Sequence, residues 1–157
     1  PILAGIVPTM TAILLSTAMP IEPVAILPTA GILIGGAMTA TSLAGRRLAD
    51  ELTMQRGSYE AALSIGLSRR DGVTLVARSP AALALVPGLD QTRTVGLVTL
   101  PGAFVGVLLA GASPVQAGAV QLLVLVALLL VQAIAVTGTV ELVSAGLLPI
   151  AGRPLPE

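Results

Sequence analysis

Long apolar runs separated by short polar ones dominate this chain. A bilayer core is crossed by roughly 20 apolar residues in a helix, and four runs approach that length: residues 2–19, 24–44, 94–112 and 115–137. Pro8 inside the first run predicts a kink. Pro20, Ile21, Glu22 and Pro23 separate the first two runs and predict a tight turn, so these runs form a helical hairpin. The third run is interrupted at Leu100, Pro101 and Gly102. The fourth continues to about Thr137, and Glu141 is the one charge between it and Arg153. The expected fold class is all-α: a single transmembrane domain of about four spanning helices, plus a helical segment outside the membrane.

That segment, residues 45–93, is punctuated as helices. Residues 46–56 extend the second span as a polar amphipathic helix that Gly57 stops. Ser58 is placed to N-cap a short helix, which Gly66 ends in the left-handed conformation that glycine tolerates. Ser68 and Asp71 have the spacing of a capping box for another helix, and Pro80 bends it. A short exposed helix held between two turns has the shape to seat in a groove on a partner. An ordinary solvated charged loop has the same composition.

Charge sets the orientation. Arg46, Arg47, Arg56, Arg69, Arg70, Arg78 and Arg93 all lie between the second and third runs, which places 45–93 and the C-terminus in the cytoplasm of a multi-pass protein of the plasma (inner) membrane. The Glu22 turn and the Ser113 turn face the other side. Composition agrees: 55% of residues are hydrophobic and 10% charged, with a mean hydropathy of +0.98, so lipid is the natural solvent. The chain has no Cys, His or Trp, which removes disulfides, thiolate or imidazole metal sites and the commonest nucleophiles. Zero net charge gives no reason to expect nucleic acid as a partner. The start at Pro1 is apolar at once and has no basic region ahead of it, unlike a signal peptide. A C-terminal portion of a longer protein, lacking its first spans, is expected.

Small residues mark close helix contacts within the runs. Gly31 and Gly35 form one GxxxG spacing, and Gly102 and Gly106, extended by Ala110, form another. Such spacings let helix backbones approach in lipid. Packing is the commoner use, and a translocation path through Gly31, Gly35, Met38, Pro101, Gly102, Gly106 and Gln121 is the alternative.

Glu60-Ala61-Ala62 followed by Gly66 reads E-A-A-x-x-x-G, similar to the loop that ABC-transporter permeases present to their ATPase. A longer match lies downstream. Residues 93–102, then Gly106, Ala110, Gly111, Pro114, Ala117 and Gln121, with Pro87 and Asp90 upstream, resemble the signature of the FetB (YbbM) family of ABC permeases, a family associated with iron export. Ala30, Gly31, Gly35, Ala37 and Met38 match its preceding span. The chain departs at Gly36, where the family has Asn, and at Val120, where it has Tyr.

The resemblance implies a permease that works as a homodimer in the lipid bilayer with a separate ABC ATPase. ATP and Mg would be bound by that partner, with docking through Glu60, Ala61, Ala62 and Gly66 and no cofactor in this chain. Catalytic residues are expected to be absent here, and no phosphate-binding loop or lysine is present. The implied cargo is iron or another metal or metabolite. Glu22, Asp90 and Glu141, or the thioethers of Met10, Met19 and Met38, are the available ligands, and they do not cluster in sequence, so the metal site stays unassigned. Plant relatives linked to aluminium tolerance and nucleotide-sugar export leave a chelate or an organic substrate open. An ATP-independent carrier or channel is the competing class, though such carriers place an ionisable residue at mid-membrane and the four runs carry essentially none. An intramembrane enzyme lacks the residues to work with.

Overall fold

The structure, a computed structural model, describes residues 2–16, 21–95 and 101–148. Every regular element among them is helical: α1 (Ile2–Leu15), α2 (Pro23–Met54), α3 (Arg56–Ser64), α4 (Arg69–Ala82), a 3-10 turn (Leu83–Leu85), α5 (Val86–Thr94), α6 (Gly102–Leu109) and α7 (Pro114–Ser144). The chain is a polytopic helical membrane protein. Three helical stretches are long and apolar enough to span a bilayer by length and composition: Pro23–Met54, Arg69–Thr94 and Pro114–Ser144, with Ile2–Leu15 a shorter apolar helix. The end of the expected first run with Met19, and Pro20 of the expected turn (residues 17–20), together with residues 1, 96–100 and 149–157, lie outside the described residues.

α2 and α7 are the two pillars, and they run parallel. A side chain at Gly36 would meet Leu128 and the Gln132 amide, while further along the same helices Leu48 and Leu52 share a buried cluster with Val140 and Val143. α1 lies antiparallel to α7: Gly5 abuts the Val131 carbonyl at 3.3 Å, and Ser16 faces the same groove as Leu123. The remaining column is broken into pieces and descends antiparallel to α2. Val73, Val76 and Ala77 of α4 join Leu48 and Leu52. Ala84 joins Ala40 and Ala44, Gln91 shares a notch with Gly31, and Gly106 of α6 meets the Val24 carbonyl.

Alanine makes this packing possible. Ala25, Ala37, Ala40 and Ala44 of α2 and Ala117, Ala127 and Ala135 of α7 are buried in one cluster, so backbones approach as they do at small-residue interfaces in lipid. A second cluster at the other end of the pillars is built from Leu48, Leu52, Tyr59, Val73, Val76, Ala77, Ala81, Val140 and Val143. At ~1.5 Å per residue, the 32 residues of α2 and the 31 of α7 make rods of roughly 48 and 46 Å, longer than the ~30 Å hydrocarbon core. The pillars therefore carry their own support for the second cluster.

Local punctuation follows the sequence in part. The Ser68 hydroxyl accepts from the Asp71 N–H at 3.2 Å and donates to the Asp71 carboxylate at 2.6 Å, which is the expected cap of α4. Three residues past Pro80 the helix tightens to 3-10, as loss of a backbone N–H invites. Ser58 does not cap α3, and Gly57 does not stop the preceding helix. The break falls at Gln55, whose N–H still bonds the Glu51 carbonyl while its own carbonyl receives the Tyr59 N–H, so α3 starts at Arg56 and both residues lie inside it. The expected third run, 94–112, is divided: α5 ends at Thr94 and α6 begins at Gly102. Pro101 opens α6 from an extended conformation.

Candidate functional site

Two places gather the residues singled out by the sequence. The first is α3 and the turn after it. This helix is pinned by one face. Tyr59 is 2% exposed and Ala62 is buried, with the Tyr59 ring against Gly72 of α4, where a Cβ would come within 3.1 Å of it. The opposite face carries Arg56, Glu60, Ala61 and Ser64, all exposed, with Arg56 Nε donating to Glu60 at 2.7 Å. Ile65 is 79% exposed, an apolar side chain offered to whatever lies beyond. Gly66 then turns the chain at φ +90°. Its N–H bonds the Leu63 carbonyl at 3.0 Å, and the Leu67 N–H bonds the Ala62 carbonyl at 3.1 Å, the paired bonds of a Schellman turn. Glu60, Ala61 and Gly66 thus share one exposed ledge, and Ala62 anchors it from beneath.

The second place is the intramembrane group, and the structure divides it. Gly106 is a packing glycine: a Cβ there would stand 2.6 Å from the Val24 carbonyl oxygen. Gly102 rests more loosely on Pro28, at 3.7 Å. Gly31 and Gly35 touch nothing within 4 Å, and Met38 beside them is 55% exposed, so this face of α2 is open. Gln121 is buried in the α7 core with its Oε1 unpaired.

A further residue was not singled out by sequence. Gln132 of α7 is 6% exposed, and its Oε1 also finds no partner. Its amide is wedged between Gly36 and Gly88, where a Cβ at either position would meet it. It lines a notch of about 270 Å³ together with Gly31, Gly35, Thr39, Pro87 and Gln91. One signal was available in the sequence, a lone amide between Leu128 and Val136 in the most apolar run. Among the described residues no group of three or more His, Cys, Asp or Glu could hold a metal ion. Glu141 is occupied elsewhere, since its carboxylate accepts from Arg70 and ties the start of α4 to the end of α7.

Residues 2–148 match the model of the "Uncharacterised protein family (UPF0014)". The chain belongs to the UPF0014 family. Its UPF0014 relatives include the "UPF0014 membrane protein STAR2" of Oryza sativa subsp. japonica, 39% identical over 79% of this chain and 44% of that protein. "Protein ALUMINUM SENSITIVE 3" of Arabidopsis thaliana is 38% identical over 79% of this chain and 45% of its own length. The "Probable iron export permease protein FetB" of Escherichia coli (strain K12) is 33% identical over 77% of this chain and 46% of its own. The chain therefore spans less than half the length of these UPF0014 relatives. No solved structure matches it.

Proposed function

We propose that this UPF0014 chain is membrane-spanning machinery of a permease, driven by a separate ATPase that docks on residues 60–66 from the cytoplasmic side of the plasma membrane. The observation that carries this reading is the ledge itself: a short helix seated through Tyr59 and Ala62 while Glu60, Ala61, Ile65 and Gly66 face outward. A helix so seated transmits force. Pushing on it moves α4 through Gly72, and α4 is keyed to α2 and α7 in the same cluster. ATP and Mg belong to the partner, which does work only by favouring one arrangement of the spans over another. The name of the E. coli relative supports a transport role and iron as one cargo to test. The open face at Gly31 and Gly35 supports a second permease copy as neighbour.

The register also favours a revised crossing. Residues 84–91 pack along the uncharged run of α2, so the third crossing starts near Leu83 and only 45–82 projects as the coupling segment; this crossing takes in Asp90 and Arg93, ionisable groups of the kind an ATP-independent carrier would use. The test is co-purification of the full-length protein with a candidate ABC ATPase from the same genome. Glu60→Arg and Gly66→Val should each insert into the membrane yet lose the ATPase, the second because a β-branched residue resists φ +90°. Full retention by both variants would remove the docking assignment and leave an ATP-independent carrier as the better reading.

A further inference from the structure

Between α4 and α7 lies a slot of about 280 Å³ whose lining changes character along its length. One end is formed by Thr74, Arg78, Thr137 and Glu141, and the other by Leu85, Ala133 and Val136. The two helices run antiparallel, because Arg70 at the start of α4 pairs with Glu141 near the end of α7. Both walls therefore turn from polar to apolar in the same direction. Arg78 precedes Leu83, where the third crossing starts, by five residues, or ~7.5 Å of helix. The headgroup layer on each side of the hydrocarbon core is roughly 5–7.5 Å deep. Arg78 thus stands at the level of lipid headgroups, and Leu85 and Ala133 stand below it among the acyl chains.

The polar end holds donors that have no acceptor. Among the described residues Arg78 makes no ion pair. Thr11, Thr29, Thr39, Thr53 and Thr139 each donate to the carbonyl four residues back, whereas the hydroxyls of Thr74 and Thr137 make no hydrogen bond among the described residues. All three groups can be reached, since Arg78 and Thr137 are exposed and Thr74 is half-buried. Glu141 does not oppose an anion, because Arg70 neutralises it, and Arg70, Arg78 and Glu141 together leave one positive charge. A guanidinium flanked by two hydroxyls suits the oxygens of a phosphate. A soluble anion would leave the apolar half of the slot empty. A zwitterionic headgroup would bring its own ammonium beside Arg78. We propose that this slot holds an anionic phospholipid, with its phosphate on Arg78, Thr74 and Thr137 and the start of one acyl chain against Leu85, Ala133 and Val136. At 280 Å³, just under the ~300 Å³ of the smallest ligand pockets, it seats a headgroup and the top of a chain while the rest of the lipid stays in the bilayer. Anionic lipids are attracted to basic groups of this kind next to a membrane crossing. The inference goes beyond the permease reading and takes from it only the start of the third crossing near Leu83. Such a lipid bridges α4 to α7 beside the Arg70–Glu141 pair, and its binding stabilises that junction by mass action.

The test uses the full-length protein in detergent micelles doped with phosphatidylglycerol or phosphatidylcholine, and native mass spectrometry counts the lipids retained. Wild type should hold one phosphatidylglycerol per chain roughly ten-fold more tightly than phosphatidylcholine, and its melting temperature should rise with that lipid. Arg78→Ala should erase the preference. Thr137→Val changes no charge and should weaken it about three-fold, as loss of one hydrogen bond to a phosphate does. Arg47→Ala is the control: Arg47 is exposed and adjoins Leu48, which shares a buried cluster with Val76 and Val140, so it removes the same charge at the same level outside the slot and should leave the preference intact. Melting in phosphatidylcholine should match wild type for all three variants, because each side chain is exposed. A wild type without the preference, a preference that survives Arg78→Ala or Thr137→Val, or an equal loss in Arg47→Ala would each overturn the proposal. So would millimolar inorganic phosphate or glycerophosphoglycerol displacing phosphatidylglycerol as well as a second lipid does, since the apolar half of the slot would then contribute nothing. None of these readings needs the ATPase. Phosphatidylglycerol held through Arg78 in a protein that binds no ATPase would sink the ATP-driven reading alone, and no preference in one that binds it would sink this inference alone.

Discussion

Replacing Tyr59 with Ala should free the docking ledge while sparing the membrane spans. The side chain is buried at 2% exposure, its ring lies against Gly72, and it is the one aromatic in the second cluster. Truncating a buried aromatic to Ala costs about 3–5 kcal/mol. α3 has few other anchors, Ala62 and the half-buried Leu63, so the loss falls mostly on its docking equilibrium. At ~1.4 kcal/mol per decade, the undocked population should rise by roughly 10² to 10⁴. Tyr59→Phe is the control. The hydroxyl is buried without a partner, so its removal should be neutral or slightly stabilising, as for any unsatisfied buried polar group.

Hydrogen exchange on the full-length protein in detergent reads the effect directly. Amides of α3 should lose protection in Tyr59→Ala and keep it in Tyr59→Phe, while those in the middle of α7 stay protected in both. ATPase co-purification should fall in parallel. Unchanged protection of α3 in Tyr59→Ala would show that the ring is not its anchor, and the account of the ledge would fail with it.

Gly106→Val should destabilise the α2–α6 contact by about 1–3 kcal/mol through overpacking, because its Cβ would press on the Val24 backbone. Gly31→Val should leave the protomer's melting temperature unchanged, since nothing lies within 4 Å. Equal thermal shifts for the two would refute this division of the glycines. Cysteines at Ser68 and Ser113 should react with an impermeant reagent from opposite sides of the membrane, and same-side labelling would refute the column order. Arg70→Ala should shift stability by less than about 1 kcal/mol, because both partners of its ion pair with Glu141 are more than half exposed. A loss of several kcal/mol in a urea or thermal melt would show that the pair is structural.

The helical character and the two pillars were legible from the apolar runs because run length and composition are local quantities. The same holds for the Ser68 cap and the Gly66 turn, each of which needs only a few neighbouring residues. The start of the third column was not. Asp90 and Arg93 make residues 83–93 read as part of the cytoplasmic helical segment, and only the register against Gly31 and Gly36 shows that this stretch lies beside the apolar run of α2. Ser58 looked like a cap because its residue type suits one, whereas the break was fixed one turn earlier by the seat of Tyr59. Gln132 became meaningful only once three helices had been aligned, since Gly36 and Gly88 are far apart in sequence and meet across its amide.

The parallel course of α2 and α7 has a mechanical corollary. Each is continuous through both buried clusters, with an internal proline in α2 at Pro28 alone, far from the ledge. A stiff rod of about 48 Å pivoting at its centre by ~10° swings each tip by about 4 Å. Two such rods keyed to α4 at one end have the geometry of a pair of oars on a shared thwart: a stroke delivered at the α3 ledge, as the proposed docking requires, would be returned with opposite sign beyond the fulcrum at the level of Gly36 and Gln132.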